Sequence, residues 1–307
     1  MEGQIRFLVE QYYDIQKLRV EAFNRIVAYV KSHIPHEPQR KDASHPKHET
    51  HSTVASQDKY ETQRRVASQL QIGNHRAYAS QSKFETQTSY ASVKPSVIAH
   101  KIVKGKAPVP KEIADLVWYH NALLETEKHL AKRLNAWSSH HPLRITFLNR
   151  ITGIGPILSS ALIAWLHPIS RFPNISKLWK YCGLAPGQKR RRGQKLGYNP
   201  HLKTLMWKVA SSFEKQKSEK SVYRRLYEEK KRYLREREDL KKAVEEKQKG
   251  AKLHIRLLAL RFVAKRFLAD LWVTWRKLEG LPVTKPYSAA ILGHEIEPIQ
   301  LDREVES

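Results

Sequence analysis

The chain has little of the chemistry that cross-links a protein. Among its 307 residues there is one cysteine, Cys182. A single thiol cannot form a disulfide within the chain, and it cannot supply a cysteine-based zinc site. This composition fits a reducing compartment.

Long apolar runs are missing as well. The longest, residues 154–166, is too short to cross a bilayer and contains Ser159 and Ser160. The first residues, Met-Glu-Gly-Gln, lack the charged-then-apolar order of a signal peptide. We therefore expect no membrane segment and a cytoplasmic protein.

No series of alternating β-branched segments is present, whereas three segments carry apolar residues at steps of three and four. These segments, residues 4–34, 111–137 and 252–278, each predict an amphipathic helix. A charged stretch at 214–252 predicts a long solvated helix held by i, i+4 charge pairs. The predicted fold class is all-α, with coiled-coil-like helices flanking a small globular domain.

The helix at 111–137 offers an apolar stripe with two polar members, His120 and Glu127. Such a stripe can pair with the first helix of the chain, or with its own copy in a dimer. We expect a homo-oligomer joined through a coiled coil.

An internal repeat separates the first two helices. The dipeptide Ala-Ser recurs at 43, 55, 67, 79 and 91, always twelve residues apart. Each unit holds too few apolar residues to bury a core, and the period matches no common solenoid. Residues 36–110 are therefore predicted to form a disordered, low-complexity linker.

Acidic residues are absent from one long segment. Residues 128–213 contain no Asp or Glu and fifteen Lys or Arg, in a chain of net charge +26. A surface with one sign of charge favours a polyanion, and nucleic acid is the first candidate. A ribosomal or membrane-surface protein shares this composition, so charge alone does not decide. Without carboxylates this segment holds no metal site, and Mg²⁺ could act only with carboxylates from a partner or another domain.

The cations are densest in a loop bounded by Gly187 and Gly197. Candidate DNA contacts in and just after this loop are Lys189, Arg190, Arg191, Arg192, Lys195, Asn199, His201 and Lys203. Arginines in such a loop can track a phosphate backbone or reach guanine edges. The alternative is a basic surface loop without a specific partner. Trp179 and Trp207 are predicted to be core residues rather than base-stacking platforms.

A second candidate contact is the segment Gly153-Ile154-Gly155. A short helix is predicted to end at Thr152, and both glycines permit a positive φ in the turn that follows. Ile154 can plug the space between the helices, and Pro156 suits the first turn of the next one. The segment resembles the helix-hairpin-helix motif, whose backbone amides hold a DNA phosphate without reading bases. The alternative is an ordinary turn between two helices.

The order of these features along the chain resembles the order of motifs in one family of DNA recombinases. Residues 142–213 resemble the C-terminal domain of the insertion-sequence transposases of the one-ten/one-sixteen/nine-oh-two group. The matching motifs are Ile151-Thr-Gly-Ile-Gly-Pro156, Ile169-Ser-Arg-Phe172, Leu178-Trp-Lys-Tyr-Cys-Gly-Leu-Ala-Pro186 and Gly197-Tyr-Asn-Pro-His-Leu-Lys203. Features that resemble the archaeal-type branch are the opening helix, Leu116-Val-Trp-Tyr119, His254, Ala259 to Arg261 and Phe267-Leu-Ala-Asp-Leu-Trp272.

The resemblance implies an enzyme that recombines DNA. Such transposases join an N-terminal RuvC-like domain, whose four carboxylates hold Mg²⁺, to this C-terminal domain, whose serine attacks DNA, and a structured RNA guides them. This sequence departs in two ways: no RuvC-like α/β pattern is recognisable, and no serine stands shortly after Gly183-Leu-Ala-Pro186, which runs straight into Gly187-Gln-Lys-Arg. The serines that stand elsewhere, none of which is assigned as a nucleophile, are Ser159, Ser160, Ser211 and Ser212.

The sequence thus predicts a DNA-binding, nucleoid-associated transposase-family protein that acts in transposition with degenerate catalysis, and its enzyme status is left open. The alternative is a non-enzymatic protein, derived from a transposase, that binds DNA or structured RNA. Expected partners are DNA ends or junctions, with a structured guide RNA as a further candidate, and no intrinsic cofactor is evident. The predicted segments are an N-terminal helix (1–35), a linker (36–110), a helix (111–141), a DNA-binding domain (142–213), two further helices (214–280) and an irregular tail (281–307).

Overall fold

Ten α-helices and four short 3₁₀ turns make up the described part of the chain, which contains no strand. The computed structural model describes residues 2–33, 93–187, 192–193, 195–246 and 248–284. The helices are α1 (Glu2–His33), α2 (Pro95–Val103), α3 (Ala114–Ser139), α4 (Pro142–Thr146), α5 (Pro156–Leu166), α6 (Ile175–Tyr181), α7 (Pro200–Glu214), α8 (Val222–Glu236), α9 (Glu238–Glu245) and α10 (Ala251–Leu278). The all-α prediction is confirmed. Along the described ranges no helix is both long and apolar enough to cross a membrane.

The chain divides into two compact units. One comprises Met1–Lys17 and Leu124–Ser307, and the other comprises Leu18–Leu123. α1 and α3 each supply residues to both units, because each helix runs through one of these boundaries.

The core of the larger unit is built around α10. Its apolar residues recur at steps of three and four, so Val263, Phe267 and Leu271 are fully buried on one face. Trp272 is also fully buried, and its indole N–H donates to the carbonyl oxygen of Phe172 at 2.8 Å. α4, α6, α7, α8 and α9 pack against α10. Residues 142–213 therefore share one core with the helices that follow them.

The smaller unit has a core of its own. It is built by Ile26 and Val30 of α1, Ile98 and Ile102 of α2, and Val117 of α3. The ring of Phe23 lies 4.5 Å from that of His100, and Tyr29 donates a hydrogen bond of 3.0 Å to Glu112.

The predicted disordered linker, residues 36–110, is wrong at its C-terminal end. Residues 93–110 are ordered, and α2 begins with Pro95 in its first turn, where a missing N–H costs nothing. Ile98, Ala99 and Ile102 of α2 are buried, and this burial stabilises a helix too short to form alone. The twelve-residue repeats up to residue 92 lie outside the described residues.

The stripe of α3 is buried within the chain. His120 is 4% exposed and Glu127 is 8% exposed, so both polar members lie on the buried face. Gln16 of α1 donates a hydrogen bond of 2.9 Å to Glu127, and this bond offsets part of the free-energy cost of burying the carboxylate. Residues of the first helix contact this stripe, as in one of the two pairings that the sequence left open, and a coiled-coil geometry of this pair stays a prediction. Pairing with a second copy stays a prediction.

The single helix predicted for 214–252 is wrong, since the stretch contains two helices, α8 and α9. Between α7 and α8 the chain turns, and Ser221 caps α8 by accepting a hydrogen bond from the N–H of Arg224. α8 is not solvated all round, because Tyr223, Tyr227 and Leu234 are buried. Three apolar residues at helical spacing are enough to dock the charged helix on α10.

Candidate nucleic-acid interface

The hairpin before α5 contains one residue that only glycine can occupy without strain. Gly153 has φ +101°, a region that side chains rarely adopt. A Cβ there would also lie 3.2 Å from Ser212 Oγ and 3.3 Å from Phe213 Cδ1. Ile154 follows with 9% exposure and belongs to the core of the larger unit. The turn is thus fixed by close contact with α7 and by the buried isoleucine.

Two expectations about this hairpin are wrong. Gly155 does not take a positive φ: with φ −94° and ψ 177° it is the extended N-cap of α5, as the start of a helix requires. The segment before the turn is a 3₁₀ turn, Leu148–Arg150, rather than a helix that ends at Thr152. The helix-hairpin-helix interpretation therefore keeps its second helix and its glycine turn, and it stays a prediction.

α5 and α7 run antiparallel, so the two predicted DNA-contacting elements lie at opposite ends of this pair. At one end, Ser212 donates a hydrogen bond of 2.6 Å to the carbonyl oxygen of Gly153. At the other end, the ring of His201 stacks on Trp165 at 5.1 Å between centroids. A helical rise of 1.5 Å per residue separates His201 from Ser212 by about 16 Å along α7. Among the described residues, the hairpin and His201 are therefore not brought together.

The basic loop is described only in part. Lys189, Arg190 and Arg191 lie outside the described residues, while Arg192 and Lys195 are exposed. Lys203 is exposed too, and its Nζ lies 4.6 Å from the centroid of the Tyr198 ring. A ring face beneath an ammonium group orients it without neutralising its charge.

Asn199 starts α7. Its side-chain oxygen accepts hydrogen bonds from the backbone N–H of His201, at 2.9 Å, and of Leu202, at 3.1 Å. Its amide nitrogen donates to the hydroxyl of Tyr181 at 3.3 Å. The side chain predicted to contact DNA thus has a structural role as an N-cap, which orients the first turn of α7.

The prediction that both tryptophans are core residues holds for only one of them. Trp179 is half-buried and donates its indole N–H to the carbonyl oxygen of Lys265 at 3.1 Å. Trp207 is 52% exposed. It shares a face of α7 with Lys203 and Thr204, one turn before it, while Leu205 and Val209 are buried on the opposite face. Lys208 beside it is covered, since its Nζ lies 3.1 Å from the Tyr13 ring centroid.

An open cleft of about 470 Å³ lies beside the hairpin. The residues that line it are Arg144, Asn149, Gly153, Ile154, Gly155, Pro156, Ser212 and Gln216. Sequence reasoning missed this cleft, because the α4 cation and the end of α7 come together only in the folded chain.

Arg144 is the charged residue of the cleft and is 7% exposed. Its guanidinium donates to Asn149 Oδ1 at 3.2 Å, to the carbonyl oxygen of Asn135 at 3.0 Å and to Asn135 Oδ1 at 2.6 Å. A fourth hydrogen bond reaches the Ser138 hydroxyl. All of these acceptors are neutral, and burial lowers the pKa of Arg144.

None of the four available serines is an exposed hydroxyl. Ser160 is fully buried and is hydrogen-bonded to Ser138 at 2.8 Å, and Ser212 is engaged with Gly153. The Ser159 and Ser211 hydroxyls are buried and have no hydrogen-bond partner among the described residues. No group of three or more His, Cys, Asp or Glu that could hold a metal ion occurs within the described ranges.

The comparisons with known proteins agree with the resemblance for the segment that contains the hairpin. Residues 145–225 match the family described as Transposase IS116/IS110/IS902. The matched segment begins in α4 and ends in α8, so it contains the hairpin, the basic loop and all of α7. A search of the curated proteins and a search of the solved structures each found no match.

Proposed function

We propose that the protein binds DNA as part of the transposition of an insertion sequence, with degenerate catalysis. The observation that carries the proposal is the charge of residues 145–213, which form most of the segment 145–225 that matches the transposase family. These residues contain cations and no carboxylate. A DNA-bound protein of this kind would be associated with the nucleoid.

The charge is available at the surface. Cations of the segment that are exposed are Arg171, Lys177, Lys180, Arg192, Lys195 and Lys203. Glu10 of α1, outside the segment, lies with its Oε1 3.9 Å from Nε2 of His201, the candidate contact two residues before Lys203. Because each cation placed on a phosphate releases counterions, such a surface favours any nucleic acid without reading its sequence.

The spacing of the two contact elements suits a continuous backbone. The hairpin and His201 are about 16 Å apart along α7, and the rise along one strand of a duplex is about 3.4 Å per base pair. The two elements could therefore contact one duplex about five base pairs apart. The hairpin would hold one phosphate through backbone N–H groups, and the basic loop would follow the strand.

Binding is tested by titrating duplex DNA against structured RNA at several salt concentrations. We expect tighter binding to the duplex, with an affinity that falls steeply as salt rises. The change Lys203→Gln should weaken binding and reduce the salt slope by about one. Lys252→Gln, which removes an exposed charge on α10, is the matched control and should leave both unchanged. Equal binding by the Lys203 and Lys252 variants would contradict the assignment of this surface.

RNA binding by a protein derived from a transposase is the second candidate, favoured by the same charge. It predicts tight binding to structured RNA and weak binding to duplex DNA at matched salt. The titration therefore separates the two candidates.

Degenerate catalysis is tested separately. Pure protein is incubated with Mg²⁺ and the DNA that flanks its gene, with and without RNA transcribed from that flank. We expect binding without nicks or protein-linked strands on denaturing gels. Covalent adducts would contradict this part of the proposal, and mapping them would identify the nucleophile.

The expected homo-oligomer is tested by measuring the molar mass of the protein in solution by light scattering. The apolar stripe of α3 that suggested it is buried within the chain, so a dimer would need another surface. A mass of one chain at micromolar concentration would contradict that expectation.

A further inference from the structure

The cleft beside the hairpin combines three features that favour an anion. We propose that it is a phosphate-binding site, in which Arg144 supplies the charge and the N-terminus of α5 supplies backbone donors. The inference rests on the proposed DNA binding and narrows it to one pocket, and it goes beyond the hairpin backbone by assigning a charged side chain.

The first feature is a buried charge with no carboxylate to balance it. A guanidinium has five N–H groups, and four hydrogen bonds to neutral acceptors leave one for a ligand. A buried cation without a counter-charge carries a desolvation cost, which a bound anion would offset. Within the described part of the chain no salt bridge reaches Arg144.

Burial alone would not single out this residue. Arg276 is 4% exposed and donates to the carbonyl oxygens of Phe172, at 3.2 Å, and Pro282, at 2.8 Å. A guanidinium can thus serve only to tie loops together. Arg144 differs because it lines an open cleft that a ligand can enter.

The second feature is the start of α5 in the same cleft. Gly155, the N-cap, has no side chain that could accept from the first turn, and the first backbone bond of the helix runs from Ser159 to Gly155. The N–H groups of Ile157 and Leu158 have no acceptor in the described ranges. Such a terminus carries a partial positive charge and is suited to phosphate oxygens.

The third feature is a rim of neutral donors held in place. Asn149 is exposed, its oxygen accepts from Arg144, and its amide N–H groups are left to donate. The amide nitrogen of Gln216 donates to the carbonyl oxygen of Ser212 at 3.0 Å, and Ser212 holds Gly153. Asn149 is therefore the side chain that would contact the anion, while Ser212 and Gln216 position the hairpin.

The sharpest variant is Asn149→Asp. Arg144→Gln is more direct, but it removes buried hydrogen bonds and risks unfolding the protein. Asn149→Asp is isosteric and exposed, and it places a carboxylate against the Arg144 guanidinium, which repels an anion. Asn24→Asp is the matched control, since it makes the same charge change at an exposed position of α1, outside the segment that matches the transposase family.

The first arm titrates inorganic phosphate against the full-length protein at constant ionic strength, followed by the Nε–H resonance of Arg144 and the amide resonances of Ile157 and Leu158. We expect saturable shifts in the wild type and in Asn24→Asp, and at least a tenfold weaker affinity in Asn149→Asp. Absence of a saturable shift, or equal shifts in both variants, would overturn the proposal.

The second arm measures duplex DNA binding by the same proteins. We expect Asn149→Asp to bind at least tenfold more weakly than Asn24→Asp. If the wild type binds DNA and Asn149→Asp binds equally well, the assignment of the cleft as a phosphate site is wrong and the DNA-binding proposal stands. If the wild type shifts with phosphate but binds no DNA, the proposed function is wrong and the site stands. A preference for duplexes with 5′-phosphates over 5′-hydroxyls would place a strand end in the site, and equal binding would place an internal phosphodiester there.

Discussion

Glu214 receives two hydrogen bonds from the guanidinium of Arg256, one of 2.7 Å at Nε and one of 2.6 Å at Nη2. The hydroxyl of Tyr227 adds a third, at 2.7 Å. Glu214 is the first carboxylate after the acid-free segment. It joins the end of α7 to α8 and α10, so this carboxylate stabilises the packing of three helices and does not neutralise cations of the basic surface.

The Glu214 carboxylate should make stability depend on pH in the acid range. Its hydrogen bond with Arg256 holds the pKa of Glu214 below the ordinary value. A lowered folded-state pKa gives stability that is present above the unfolded value of about 4.3 and lost as pH falls through the folded value. We expect Glu214→Gln to cost about 1 kcal/mol at pH 7, because the pair is bidentate but partly exposed. Urea unfolding at pH 7 and at lower pH values measures the change.

The control for this prediction is Glu229→Gln, which removes an exposed carboxylate on α8. It should change the unfolding free energy by less than about 0.5 kcal/mol at pH 7. The cost of Glu214→Gln should shrink below pH 4. A cost that stays constant across this range would show that the ion pair is not its source.

Asp270 should act in the opposite sense. Burial raises its pKa to about 6, against the opposing effects of Arg266, 3.4 Å away, and of the Tyr223 hydroxyl, 3.0 Å away. The folded protein therefore holds a proton that the unfolded chain releases near pH 4, so stability falls as pH rises from about 4 to 6. A difference of about two pKa units corresponds to roughly 2–3 kcal/mol.

Asp270→Asn keeps an acceptor for Tyr223 and removes the titration. Its unfolding free energy should lack the decrease between pH 4 and 6 that the wild type shows, as measured by urea unfolding at half-unit pH steps. Glu229→Gln should retain the wild-type slope. If Asp270→Asn keeps the wild-type slope as well, the decrease comes from another group.

Phe267 should be among the most costly residues to truncate. Its ring is fully buried and lies 5.4 Å from that of Phe213 and 5.5 Å from that of Tyr223, so it joins α7, α8 and α10. Phe267→Ala leaves a cavity and should cost about 3–5 kcal/mol. Phe262, on the same helix, is 39% exposed, and Phe262→Ala should cost less than about 1 kcal/mol. Chemical unfolding of both variants checks this, and similar costs would contradict the packing of α10.

The long helices could be predicted because their periodicity is local. α1 ends two residues before Pro35, and α10 begins directly after Gly250. The bounds predicted from sequence for both helices therefore differ from the observed ones by only one or two residues. α2 was missed because its nine residues are stabilised by burial of Ile98 and Ile102 against other helices. That burial is a tertiary effect, which a window of sequence does not contain.

The candidate site was predicted less completely than the helices. The turn at Gly153 could be predicted, because a glycine beside an apolar residue is typical of a turn with positive φ. The conformation of Gly155 could not, because its φ is set by the helix that it caps. The role of Arg144 could not be predicted from sequence, because its acceptors Asn135 and Ser138 belong to another helix and contact it only in the folded chain. Trp207 was assigned to the core by residue type, but its position one turn after Lys203 places it on the exposed face of α7.

The two hairpin glycines should respond differently to alanine. A Cβ at Gly153 meets Ser212 and Phe213 at 3.2–3.3 Å, and φ +101° is strained for any side chain, so Gly153→Ala should cost about 1–3 kcal/mol. A Cβ at Gly155 meets nothing within 4 Å and φ is −94°, so Gly155→Ala should lose only the preference of an N-cap for Gly over Ala, which is about 0.5–1 kcal/mol. Urea unfolding of the two variants measures the difference. A large cost at Gly155 would mean that the turn is built differently.

Gly155 also reports on how DNA approaches the hairpin. Its Cα is exposed at the N-terminus of α5, where a phosphate would have to come close to the backbone. Gly155→Ala should therefore weaken duplex binding while the protein stays folded, because a methyl group keeps the phosphate from the N–H groups behind it. Unchanged binding would place the phosphate elsewhere, since a variant that folds normally leaves only the approach itself altered.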